Sequence, residues 1–289
     1  MKEQYQVTPL KEITGGDKLK MLSLMLFWLA LFAPIYPAMI QEWLANSDNS
    51  HGFIVPFVAG YFAWGRRDRL GFVTLQDSWW GCLMLIVALS LYVLSVAGGL
   101  AFPARVAMVL SLFGLVWCML GNATIRILAF PILFLLFMIP VPYSLINLVS
   151  GPLQFFATKI SATLIAACSI PVFRDGNMLY FVSTQLEVAE ACSGIRSIIA
   201  LSMLAVAFAS MSHTGWKGKA MLILMAIPIA LTANVIRVTG TGILAHFFGD
   251  RVARGFLHEF SGVAIFVLGF AALFGVFTLI NRKTPGNVK

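Results

Sequence analysis

Stretches of about 20 apolar residues recur from one end of the chain to the other, with only short polar gaps between them. That length carries a helix across the roughly 30 Å hydrocarbon core of a bilayer. Composition agrees, because 60% of the residues are hydrophobic and 11% charged, whereas a soluble domain carries about a quarter charged residues. The chain therefore reads as an all-α polytopic membrane protein. One membrane domain covers 21–281, with cytoplasmic tails at 1–20 and 282–289. The first run begins near Met21 behind a polar segment holding Lys2, Lys11, Lys18 and Lys20, and further runs follow it. It reads as a retained helix and not as a cleaved signal peptide.

About eight transmembrane helices are predicted, at 21–41, 52–65, 78–98, 106–121, 126–140, 193–212, 219–246 and 260–281. The run from Tyr143 to Val172 carries Pro152, Lys159 and several hydroxyls. It reads as an interfacial or re-entrant helix, or as a pair of short passes. With the N-terminus in the cytoplasm, the tail lysines, Arg66, Arg67, Arg69, Arg126, Lys217, Lys219, Arg282, Lys283 and Lys289 all fall inside, 13 of the 20 Lys and Arg. That bias is the positive-inside signature. Outside fall Asp48 to His51, Arg174 to Glu190 and Phe247 to Glu259. In the middle one, Asp175-Gly176 is a turn signal between β-branched and aromatic residues, which predicts a small extracytoplasmic hairpin or extended cap before the sixth span.

The net charge of +8 does not point to nucleic acid, because the basic residues sit in loops between spans and not on one folded face. Cys82, Cys118, Cys168 and Cys192 are too scattered for a disulfide framework or a metal site, and the first three read as packing residues. Neither a helical zinc motif, a Gly-rich phosphate loop nor a nucleophile elbow is present. No cofactor is implied.

Ionisable groups within spans cost several kcal/mol, so each asks for a reason. In "LTANVIRVTGTGI", Asn234, Arg237 and Thr241 fall at i, i+3 and i+7 on one helix face. At 1.5 Å per residue, Arg237 lies about 26 Å beyond Ala220, near the outer surface. Cys192 opens the sixth span from that same side in "EACSGIRSII", Arg196 follows one turn below, and His258 precedes the eighth span in "HEFSG". A helix N-terminus, an arginine and a histidine each favour a thiolate. An imidazole moves protons near neutral pH, and an arginine stabilises an oxyanion where water is scarce. Together these are parts for acyl transfer through cysteine. Each also has a plain structural reading: Cys192 as a packing residue, the arginines as snorkelling anchors, and His258 as a loop residue, with His246 and His51 as competing imidazoles. On physical grounds an outward-facing cysteine enzyme competes evenly with a transporter or channel whose polar stripe lines a pathway for an anionic solute.

The ordered set "EACSGIRS", "NVIRV" and "HEFSG" resembles the exosortase/archaeosortase family. "SHGFIVPFVAGYFAWGRR" at Ser50 to Arg67 is similar to the family's N-terminal motif, with Asn49 where an aromatic is usual, and "IPVPYSLINLVSGPLQ" at Ile139 to Gln154 resembles its central region. The resemblance implies a polytopic cysteine transpeptidase of the bacterial inner membrane. It identifies Cys192 as nucleophile, Arg237 as the family arginine and His258 as the histidine that marks the bacterial branch. Arg196, Asn234, Ser193 and Gly194 would support the site or touch substrate. The implied substrates are secreted proteins whose C-terminal sorting signal joins a Pro-Glu-Pro-like motif, a transmembrane helix and a basic cluster. Envelope polysaccharide machinery is the implied setting, with a non-catalytic assembly subunit as a further alternative.

Overall fold

The computed structural model describes residues 15–71, 73, 76–182, 184–188, 194–249 and 256–282. It divides into two compact units, one up to Pro142 and one from Tyr143.

The first unit opens with α1 (Gly15–Leu31) and α2 (Ile35–Ala45), bent by 64° where Pro34 interrupts the helix. A 3-10 turn (Ser47–Phe53), α3 (Val55–Trp64) and a single turn, α4 (Arg67–Leu70), follow. Next come α5 (Trp79–Ala97) and the long α6 (Ala101–Phe134), which a 3-10 turn extends to Met138. Glycine sets the α5–α6 seam: a Cβ on Gly81 would strike the Cys118 backbone, and one on Gly114 would lie 2.6 Å from Leu85 N. The pairs 81/118 and 85/114 run in opposite senses, so these helices are antiparallel. Cys82 and Cys118 are joined as a disulfide across the same seam. This corrects the reading of both as packing residues without a bridge. The spacing hides the pairing because their closeness comes from the antiparallel contact, not from local sequence.

Gly121, with φ +80°, breaks α6. The positive φ suits glycine, and a side chain there would run into the Gln76 carbonyl. Two contacts measure the bend. Arg105 holds both carboxylate oxygens of Glu42 at 2.8 and 2.5 Å, and Trp43 Nε1 donates to the Met138 carbonyl at 2.9 Å. Glu42 and Trp43 are neighbours, so side-chain reach keeps residues 105 and 138 within about 30 Å, whereas an unbroken helix would place them about 50 Å apart. The chain therefore doubles back at Gly121, where the run read at 106–121 ends. The returning arm packs on α3 through Phe62, whose ring meets Phe130 at 5.1 Å and Phe134 at 5.6 Å. His51 spans the far end, one ring nitrogen 3.0 Å from the Asp48 carbonyl and the other 3.1 Å from that of Phe137.

In the second unit the segment with several open readings is one helix, α7 (Tyr143–Ala167), with Pro152 inside it and no break into two passes. An antiparallel three-stranded meander follows: β1 (Phe173–Asp175), β2 (Met178–Tyr180) and β3 (Gln185–Glu187). Phe173 pairs with Tyr180 and Leu179 with Leu186. Its inner residues Leu179, Phe181, Leu186 and Val188 form a core with Ile165, Ile170 and Val238. Then come α8 (Ile195–Met211), α9 (Trp216–Phe248) and α10 (Phe256–Arg282). Ala205, Ala209, Ala226 and Ala230, at helical four-residue spacing, are all nearly fully buried and let α8 and α9 approach closely around Leu201, Leu222 and Leu273.

Four helices among the described residues are long and apolar enough to cross a membrane, five if the bent α1–α2 pair makes one span, and α8 is apolar but shorter. The large apolar side chains exposed along them fit a lipid surround.

Candidate functional site

The site builds from α9, whose 33 residues carry Asn234 and Arg237 on one face. Asn234 is 2% exposed. The Arg237 fork donates through Nη2 to Asn234 Oδ1 at 2.8 Å. A neutral amide orients the guanidinium and brings no charge of its own. Such a cation, half-buried, attracts an anion far more strongly than one in water.

Gly194 brings α8 to this point. It is buried, adopts φ +79° as the residue capping α8, and a Cβ there would meet Asn234 Cγ at 2.9 Å. Both the left-handed backbone and the close approach demand glycine. The residue that ends "ACSG" therefore lies directly against the amide that orients Arg237. Cys192 and Ser193, which precede Gly194 in sequence, lie outside the described residues. Arg196, in the first turn of α8, is exposed.

The backbone of 258 belongs to α10, while the His258 side chain lies outside what is described. Helix register gives its level. Gly218 faces Ile280 and Gly269 faces Ile229, so α10 runs antiparallel to α9. Carried on at 1.5 Å per residue, that register sets 258 opposite Gly240, about one turn beyond Arg237. His246 sits nine residues past Arg237, about 13 Å along α9. Its ring packs on Phe247 at 5.0 Å and Phe181 at 6.1 Å, with Nδ1 buried and without a hydrogen-bond partner. His51, in the first unit, has both ring nitrogens on carbonyls that tie a turn together.

Support for the α9 face comes from α7, which sequence reasoning left without a role. Ser150, Gln154, Thr158 and Ser161 form a buried polar stripe, Ser161 Oγ donates to the Val235 carbonyl at 3.3 Å, and Asn177 Nδ2 donates to Gln154 Oε1 at 2.8 Å. The helical spacing of these four positions was the available signal. Among the described residues no cluster of His, Cys, Asp and Glu is arranged to hold a metal.

A half-buried arginine held by an amide, close to where α8 begins in a bundle of apolar spans, defines a multi-pass helical membrane protein with a polar centre on α8 and α9. The sequence profile of the transmembrane exosortases matches residues 43–275, and the chain belongs to that family. Neither the curated proteins nor the solved structures contain a match to it.

Proposed function

We propose that the protein cleaves the C-terminal sorting tail of secreted proteins and transfers the new carboxyl end through a thioacyl intermediate, with the site on the extracytoplasmic face of the bacterial inner membrane. Family membership supports the class of reaction. The observation that carries the residue assignment is the contact of Gly194 with Asn234, itself bonded to Arg237.

The Cys192 thiolate attacks the carbonyl carbon of the scissile peptide, and a carbon–sulfur bond forms as the carbonyl electron pair moves onto oxygen. Arg237, its fork set by Asn234, stabilises that oxyanion. Collapse expels the amine, which takes its proton from His258, and leaves a thioester on Cys192. An acceptor amine or water then attacks the thioester and releases the thiolate. Ser193 and Gly194 support the site or contact the substrate, and Arg196 contacts the substrate or the membrane surface. The tail's own helix would enter from the bilayer. A lateral groove of about 360 Å³ between α9 and α10, lined by Pro228, Ala233, Ile236 and Gly269, ends one residue short of Arg237. Its small residues permit close helix approach.

Co-expression of substrate with Cys192→Ala protein tests the assignment. Full-length tail should accumulate, and mass spectrometry of the unaltered enzyme with a slow substrate should locate a thioester on Cys192. Normal processing by Cys192→Ala would sink the nucleophile assignment. An anion pathway through the same helix face would instead require Arg237 and tolerate loss of the thiol.

A further inference from the structure

At the end of α3 in the first unit, one guanidinium is built into place. Arg66 Nη1 donates to the Phe62 carbonyl at 2.7 Å, and its Cζ lies 5.8 Å from the centre of the Phe62 ring and 5.1 Å from that of Phe130. Arg67 stacks on Trp64 at 4.7 Å, Arg69 follows one turn on, and Arg126 sits one turn before Phe130 on α6. Arg67, Arg69 and Arg126 are exposed. Among the described residues the only ion pair in this group is Arg67 Nε to Asp68 Oδ1 at 3.8 Å, between side chains that are 55% and 86% exposed. Such a pair holds little energy. Burial, and after it the charge of Arg69, pushes the Arg66 guanidinium below its ordinary value. Charge bias across a membrane asks only for loose basic residues in the loop. It does not ask for a guanidinium held against a pair of packed rings beside three others.

Position suggests a ligand for the group. Trp64, Trp79 and Trp80, exposed at 67%, 76% and 64%, sit at the ends of α3 and α5 that the Arg66–Asp77 segment joins. Tryptophans at helix ends settle at headgroup depth. A phosphate diester at that depth offers acceptors to planar guanidinium forks, and anionic lipids draw juxtamembrane basic clusters. We propose that Arg66, Arg69 and Arg126 bind the phosphate of an anionic phospholipid headgroup, with Arg66 as the fixed contact and the other two closing on it.

Native mass spectrometry of the full chain, released from micelles holding equal phosphatidylglycerol and phosphatidylcholine with the same acyl chains, tests this. The unaltered protein should retain phosphatidylglycerol about fivefold over phosphatidylcholine, and the Arg66→Gln/Arg126→Gln protein should retain both about equally. Arg66→Lys keeps the charge and loses the fork, so it should fall between them. Lys217→Gln/Lys219→Gln in the second unit should keep the full preference. If Arg66→Gln protein is not recovered folded, Arg69→Gln/Arg126→Gln alters only exposed side chains and must show the same loss. Equal retention by the unaltered protein, or undiminished preference in both double variants, overturns the proposal. So does displacement of the lipid by inorganic phosphate beyond that caused by chloride at matched ionic strength, since the ligand would then be the free anion.

Discussion

Each unit holds a prominent arginine within its helices, and the two are treated differently. Arg105, in the first, is 5% exposed and grips the Glu42 carboxylate with two nitrogens, so its charge is cancelled and the pair ties α2 to α6. Arg237, in the second, is held through Nη2 by the neutral Asn234 amide. The first arrangement fixes a fold-back. The second sets a guanidinium against a neutral amide at the place where α8 begins. Charge alone does not tell the two arginines apart, whereas the Glu42 carboxylate and the Asn234 amide do.

The comparison can be broken at several points. Glu42→Ala strands the Arg105 charge beside a carboxylate site that is 45% exposed, and should cost about 2–3 kcal/mol, read as a lower thermal midpoint in detergent; a loss under about 1 kcal/mol would mean the pair does not hold the fold-back. Asn234→Asp puts a carboxylate against Arg237 and makes the second arginine resemble the first. Tail processing should fall about 100-fold with the midpoint unchanged or raised, so retained processing would show that a neutral residue at 234 is not needed. Gly194→Ala meets both the Asn234 contact and the left-handed backbone. It should cost about 2 kcal/mol and processing with it, while Gly99→Ala, at φ +66° in open space, should cost about 1 kcal/mol and leave processing intact. The smallest effect is expected from His51→Ala, about 0.5 kcal/mol in the midpoint with processing kept, because a neutral imidazole donates to only one of the two carbonyls its ring meets.

Legibility in the sequence followed the range of the interactions. The stripe Asn234–Arg237–Thr241 could be read because helical period is local, and the "CSG" glycine could be quoted as part of a motif. That Gly194 must be glycine because Asn234 lies against it needed the packing of α8 on α9. The Cys82–Cys118 bridge was missed for a similar reason, since 36 residues separate the thiols and the glycine seam alone aligns them. The polar stripe of α7 was visible as scattered hydroxyls and blurred the reading of that segment. It makes sense only once Ser161 and Gln154 have partners.

By itself the sequence determined that this chain lives in a bilayer, because hydrophobic length and charge bias are additive properties of short windows. It also determined the family, through ordered motifs at the span ends. Tertiary structure alone decided where the chain doubles back, which arginine meets a carboxylate and which an amide, and which glycine lies against that amide. Those depend on the close approach of segments far apart in sequence, where a single Cβ or one carboxylate changes the outcome.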